Sequence, residues 1–264
     1  MKNIFPILEG RVRTRSLESH IVDHCNLRCA SCCSLSPHLP KWEVDPEDLA
    51  EELRLARRVL APTWLKLVGG EPLLHSRLVE CLEAAKAADM AAIVSLTTNG
   101  FLLPRQPVAF WQQLDALTVS LYPQPKLPEA TIALVRERAA EYNVRLNWKQ
   151  QDSFVQMDRV EACQDDAENW EIWEACWLRR RCHMIRDGRF YACTRPAHYA
   201  KMLDVDFTPD GILLTEEPGL AEEIQSYLQR PEPLAACALC LGGNAPEAAH
   251  RQLRTGEGRL LVPA

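Results

Sequence analysis

Cys25, Cys29 and Cys32 stand at C-x3-C-x2-C spacing in one short stretch. Thiolates are soft ligands, and a compact loop can wrap three of them around one iron–sulfur cube. The same spacing serves a structural zinc knuckle with Cys33 or His24 as fourth ligand, because zinc in such sites takes four. A second set of sulfurs lies downstream at Cys176, Cys182 and Cys193, followed by Cys237-x2-Cys240. Asp187-Gly188 between Arg186 and Arg189 is a two-residue hairpin signal. Counting outward opposes Met184 to Tyr191 and Cys182 to Cys193, and opposed residues on one face have Cβ atoms roughly 4.5–5.5 Å apart. The expected four-sulfur site is therefore Cys182, Cys193, Cys237 and Cys240, with Cys176 replacing Cys182 if the register differs. On spacing alone that site suits a cluster or zinc.

Eleven cysteines in 264 residues exceed what disulfides explain in a reducing compartment, so metal or redox chemistry is expected. The N-terminal MKNIFPILEG interrupts its apolar stretch with Pro6, Glu9 and Gly10 and offers no signal-peptide core, and no eighteen-residue apolar run follows. A cytoplasmic protein with no membrane partner is expected. A net charge of −6 and only short arginine runs give no basic footprint, which argues against nucleic acid.

The elements that must position these cysteines alternate between short β-rich runs and helical patterns, the signature of βαβ units on a parallel sheet. Strands are expected at 18–23, 64–68, 92–97, 116–121 and 144–148. A helix opens at Pro46 with Asp45 as N-cap, and others fit 77–87, 108–114 and 128–141. Right-handed crossovers would curl these into an α/β partial (βα)6-type barrel, whose chemistry sits in the loops after the strands. Those loops read CNLRCASCC, GGEPLLH, TNG and LYP. Past residue 151 the pattern turns tryptophan-rich and charged. Residues 1–151 are thus expected to form the barrel core, and 152–264 a small C-terminal β-hairpin and helix domain carrying the second cysteine set.

Taken together, Cys25-Asn26-Leu27-Arg28-Cys29-Ala30-Ser31-Cys32 and Gly69-Gly70-Glu71-Pro72 at the next strand end resemble the radical S-adenosylmethionine (SAM) superfamily. That resemblance implies a [4Fe–4S] cluster on Cys25, Cys29 and Cys32 with one iron left for SAM. It also implies reductive cleavage of SAM to a 5′-deoxyadenosyl radical. Gly69, Gly70, Glu71 and Pro72 would then meet the amino group of SAM, while Thr98, Asn99 and Ser120 would meet its ribose and carboxylate. Gly188-x4-Cys193 followed by Cys237-x2-Cys240 is similar to the SPASM/Twitch extension of that superfamily, which implies an auxiliary [4Fe–4S] cluster. No cysteine follows Cys240, a departure that favours the shorter Twitch form. A one-electron donor such as flavodoxin or ferredoxin is the implied partner.

Polar residues at the later strand ends, Tyr122, Asn147, Lys149 and Gln151, suit a small hydroxylated or charged substrate. Three activities compete. The first is two-electron oxidation of a small sugar-like or aminocyclitol-like metabolite by a radical SAM oxidoreductase. The second is an epimerase or a maturase of a ribosomally made peptide, and the third a non-enzymatic iron–sulfur or zinc binding module. Candidate catalytic residues are Tyr122 and Lys149, with Cys33 and Cys163 as thiol hydrogen donors if the product is an epimer. Cys81 is expected in the core, and His75 as a solvated loop residue.

Overall fold

The computed structural model describes residues 4–254 and Glu257. A short β1 (Ile7–Leu8) pairs antiparallel with the start of β2 (Arg11–Val22). Then α1 (Pro46–Val59) leads to β3 (Leu60–Gly69), α2 (Leu78–Ala87) to β4 (Ile93–Thr98), and α3 (Val108–Gln112) to β5 (Ala116–Leu121). Finally α4 (Glu129–Glu141) leads to β6 (Arg145–Gln150). Helix α1 forms where the sequence marks it. Asp45 accepts from the Glu47 N–H at 3.0 Å, Pro46 fills the first turn, and Leu49, Leu53 and Ala56 are buried on one face. Such a cap is worth about 1 kcal/mol.

Past β6 come β7 (Ser153–Val155), α5 (Asp166–Ala175), β8 (His183–Arg186) and β9 (Arg189–Tyr191). These are followed by α6 (Arg195–Leu203), β10 (Gly211–Leu213), α7 (Leu220–Leu228) and β11 (Glu247–Ala249). The main sheet runs β10-β9-β8-β2-β3-β4-β5-β6, and a separate pair joins β11 to β7. From β8 to β6 every pairing is parallel, giving the expected open α/β barrel-type sheet. The hairpin β8–β9 docks on the free edge of β2, so residues on both sides of position 152 share one sheet.

Two strands start earlier than expected. In β2, Arg11, Arg13 and Arg15 alternate with buried Val12, Thr14 and Ser16, so a true strand reads as charged sequence. In β3, Pro62 lies opposite Thr14, and a proline ordinarily argues against an interior strand.

At the C-terminal end of β2 the Asp23 carboxylate takes the Arg186 guanidinium in two parallel bonds of 2.5 and 2.7 Å. Both residues are buried, and Trp42 covers the guanidinium with its ring centroid 4.0 Å away. Removing one member strands a buried charge, at a cost of roughly 3–5 kcal/mol. Arg186→Met should therefore lower the melting temperature sharply, and adding Asp23→Leu to it should restore part of the loss. Equal melting of the single variant and the wild type would show that this pair does not hold β8 in place.

Candidate active site

The strands divide their residues by parity. Leu17 and Ile21 of β2, Leu65 and Leu67 of β3, Val94 and Leu96 of β4, and Leu117 and Val119 of β5 are buried in the main core. The alternate residues face a cavity of about 790 Å³, within the roughly 300–1,000 Å³ of small-molecule sites. Its wall carries Ser16, Glu18 and His20 from β2, Lys66 from β3, Ser120 from β5 and Lys149 from β6. At its mouth lie Cys25, Cys29, Cys32, Gly69, Gly70, Glu71 and Asn99. The structure thus gathers the expected SAM-motif residues other than Pro72, with Thr98, Ser120, Tyr122, Asn147, Lys149 and Gln151, around one cavity.

The double glycine has a steric reason. A Cβ on Gly69 would lie 2.1 Å from the Val22 carbonyl oxygen, and one on Gly70 would lie 2.1 Å from that of His24. Gly69 also sits at φ 146°, where side chains are strained. This close approach lets the Gly70 N–H donate to Val22 O at 2.8 Å and the Glu71 N–H to His24 O at 3.0 Å. The turn is thereby bound to the start of the cysteine loop.

Glu71 is a strut between strand ends. Its Oε1 accepts from Thr98 Oγ1 at 2.6 Å and from the Leu73 N–H at 3.0 Å, and its Oε2 accepts from the Asn99 N–H at 2.7 Å. The Asn99 amide in turn donates to Asn26 Oδ1 at 2.7 Å, beside Cys25. Burial pushes the Glu71 carboxyl up to about 7, against the pull of these donors. Pro72 follows in a buried turn.

Sequence reasoning missed what covers the cysteine loop. Near the end of the described chain Gln252 bridges to Cys29, with the Ala30 N–H donating to Arg251 O at 2.9 Å. Gln252 Nε2 donates to Cys29 Sγ at 3.2 Å while its Oε1 accepts from the Arg28 N–H at 2.7 Å. His250 Nε2 also lies 3.2 Å from Cys29 Sγ, its ring against Tyr122. Nothing in the sequence between 247 and 253 announces this contact, which spans over 200 residues.

The second sulfur set differs from the hairpin expectation. Cys176, Cys193, Cys237 and Cys240 line one apolar pocket under α5 and α6, and Cys182 is not among its walls. The register itself is as expected, with Arg186 opposite Arg189 and Met184 opposite Tyr191, but the ladder ends there. β8 pairs on its other edge with β2, where Leu17 meets His183 and Ser16 Oγ donates to Arg181 O at 2.7 Å. That pairing turns Cys182 into the polar cavity instead. Cys176, just past the end of α5, lies in that pocket in its stead, with the Gly243 N–H donating to its sulfur at 3.3 Å. Asp210 orders the turn that bears Cys237, accepting from the Ala235 and Ala236 N–H groups at 2.8 Å each. Tyr227 fixes Cys193 by accepting from the Ala192 N–H at 2.9 Å.

Of the expected thiol donors, Cys33 lines the cavity, whereas Cys163 does not. Cys163 instead points at Glu168, 3.3 Å away, beyond the cavity wall. Cys81 is buried in the core as expected. His75 is also buried, with Nε2 2.9 Å from Val44 O, rather than a solvated loop residue.

A parallel α/β sheet thus presents a three-thiol loop and a glycine-glycine turn at adjacent strand ends. Residues 19–124 match the Radical SAM superfamily, and over that stretch the chain is similar to it. A GTP 3′,8-cyclase of Mycobacterium marinum is 38% identical over 122 residues, covering 44% of this chain and 34% of that protein. The GTP 3′,8-cyclase of a Synechococcus species is 40% identical over 139 residues, covering 47% and 39%. The chain thus spans little more than a third of the length of these curated relatives. Among solved structures, BtrN in complex with AdoMet and 2-DOIA shares the fold, with a TM-score of 0.51 at 12% identity over 88% of this chain and 94% of that one.

The superfamily implies a [4Fe–4S] cluster and SAM, and the first thiol set fits that cluster. Burial pushes Cys25, Cys29 and Cys32 each up to about 12, with neighbouring cysteines adding to the rise. Gathered thiols that resist ionisation need a polycation among them to become thiolates. Among the described residues no group of three or more His, Cys, Asp or Glu is placed to hold a single metal ion. No helix among them is long and apolar enough to cross a membrane.

Two tests follow. A carboxyl that holds its proton more tightly folded than unfolded destabilises the fold as pH rises from its ordinary value, 4.5 for Glu71, through the folded one near 7. Cluster-free protein should therefore lose melting temperature between about pH 5 and pH 7.5, and Glu71→Gln should flatten that slope. An unchanged slope would place the proton elsewhere. Because hydrogen bonds to cluster sulfurs raise the potential, Gln252→Leu should shift the SAM-site cluster to more negative potential in an EPR-monitored redox titration. An unmoved potential would reduce Gln252 to a tether.

Proposed function

We propose that the chain cleaves SAM reductively and uses the resulting radical to take a hydrogen atom from a small hydroxylated metabolite, sugar-like or aminocyclitol-like, in a two-electron oxidation. The observation that carries this reading is the cavity itself, where polar strand residues and the three-cysteine loop face one space. A [4Fe–4S] cluster on Cys25, Cys29 and Cys32 would supply the electron that breaks the sulfonium bond. The protein's own part is to hold SAM at the Gly69–Gly70 turn and to seat the substrate among the polar residues of β2 to β6. Tyr122 and Lys149 stand on that wall as contacts to the substrate.

The Cys176, Cys193, Cys237 and Cys240 pocket supports an auxiliary cluster of Twitch type, whose chemistry there would be one-electron acceptance. Burial pushes Cys237 up to about 12 and raises Cys193, with the other cysteines of the set adding to both. A flavodoxin or ferredoxin is the fitting electron donor. A reducing, cytoplasmic setting suits eleven cysteines that are all free.

A second reading has its own observation. Cys33 and Cys182 both line the cavity, so a thiol stands where a substrate radical could regain hydrogen, as an epimerase requires. The GTP 3′,8-cyclase relatives carry out another transformation by name, but their likeness covers under half of this chain.

Anaerobic reconstitution should give about eight irons per chain, four for each cube, and 5′-deoxyadenosine from SAM with a strong reductant. Cys176→Ala should lose about half of that iron and Cys182→Ala should keep it, whereas the reverse would restore the hairpin pairing. With substrate, oxidation gives a product two hydrogens lighter. One deuterium from heavy water at unchanged mass would establish the epimerase, with Cys33 and Cys182 then the residues to exchange.

A further inference from the structure

The cavity wall holds a compact polar group outside the expected SAM motifs. Glu18 and Lys66 are register partners on β2 and β3, with Lys66 Nζ 3.3 Å from Glu18 Oε1. His20, next on the same face of β2, has Nε2 3.8 Å from Glu18 Oε2. That distance exceeds a hydrogen bond, and His20 Nε2 is a buried polar atom without a partner on a residue only 4% exposed. All three residues line the cavity.

The His20 tautomer follows from its other neighbour. His198 Nε2 on α6 is 3.1 Å from His20 Nδ1. If His20 Nδ1 carried the proton, the lone pair of Nε2 would face the Glu18 carboxylate, and His198 Nδ1, also buried without a partner, would hold an orphaned N–H. Placing a proton on Nε2 of both rings removes both penalties. His20 then presents an N–H donor to the cavity beside the Lys66 ammonium and the Glu18 acceptor. The Lys66 ammonium beside it favours the charged carboxylate against the cost of burial, so Glu18 accepts.

We infer that Glu18, Lys66 and His20 form the substrate's anchoring subsite and select a neutral vicinal diol over an anion. One hydroxyl receives from Lys66 and donates to Glu18, and its neighbour satisfies the open Nε2–H of His20. An anionic group is disfavoured because the carboxylate has already taken up the ammonium's charge. Across the cavity Arg15, Lys66 and Lys149 face Glu18, Glu71, Asp152 and Glu247, so the lining has no excess of cations to draw an anion.

The inference rests on the proposed small-molecule reading and has its own test. Reconstituted protein with SAM is titrated calorimetrically with myo-inositol and, separately, with GTP, the nucleotide named for the relatives. The wild type should bind myo-inositol more tightly than GTP. Glu18→Gln should weaken myo-inositol by about tenfold or more and strengthen GTP, because it frees Lys66 for an anion. A fold disturbed nonspecifically would weaken both ligands. Lys66→Met should weaken myo-inositol without gaining GTP, and iron content reports whether each variant folded. Tighter wild-type binding of GTP, no binding of myo-inositol, or Glu18→Gln and Lys66→Met that bind myo-inositol like the wild type would overturn the subsite. None of these outcomes bears on SAM cleavage, which is read by 5′-deoxyadenosine alone.

Discussion

The C-terminal end of β2 is the constraint on which the rest of the molecule depends. Within three residues, Val22 and His24 accept the backbone N–H groups of Gly70 and Glu71, and Asp23 takes both arms of Arg186. One short segment therefore fixes the glycine turn on one side and the C-terminal hairpin on the other. The cysteine loop starts from that anchored point. The buried ion pair need not stabilise the fold on balance, since desolvation offsets most of its attraction. Its effect is specificity: any other docking of β8 strands a charge in the core. A steric limit acts beside it, because only glycine lets the turn approach β2 closely enough to present its backbone to the site.

How much of this was legible follows from the range of each signal. The helix at Pro46, strand β5 and the Asp187-Gly188 turn are written in adjacent residues, and they form where the local pattern places them. The three-cysteine loop and Gly69-Gly70-Glu71-Pro72 are equally local, and their meeting needed only one βα unit. The beginnings of β2 and β3 were hidden by arginines and a proline that a paired strand tolerates once its neighbours bury it. The covering of Cys29 by His250 and Gln252 had no local signal at all, because it joins the two ends of the described chain.

Cys182 shows the limit most clearly. The hairpin arithmetic was sound as far as the ladder goes, and it ends at Met184 and Tyr191. Extending it to Cys182 assumed that the strand has one partner, when β8 has two. Parallel pairing with β2 is a long-range event, and it decides which way the residue before the strand points. A helix end brings a different sulfur to the apolar pocket, since Cys176 follows α5 and turns back under α6.

The same two-sided pairing joins the sulfur sites to the polar wall. Parallel strands covered by helices usually read as continuous apolar runs. Here the helix-facing residues are apolar, while the opposite face of β2 carries Ser16, Glu18 and His20. A fold gains nothing by burying such a face unless a ligand or another polar group answers it. His198 answers His20 from α6, and Lys66 answers Glu18 from β3. The segment after residue 151 thus does more than carry its own cysteines: it supplies the ring that sets a cavity histidine's tautomer, a thiol in the cavity wall and the strap over Cys29. A cavity assembled in this way from both ends of the chain exists only when both segments have folded together.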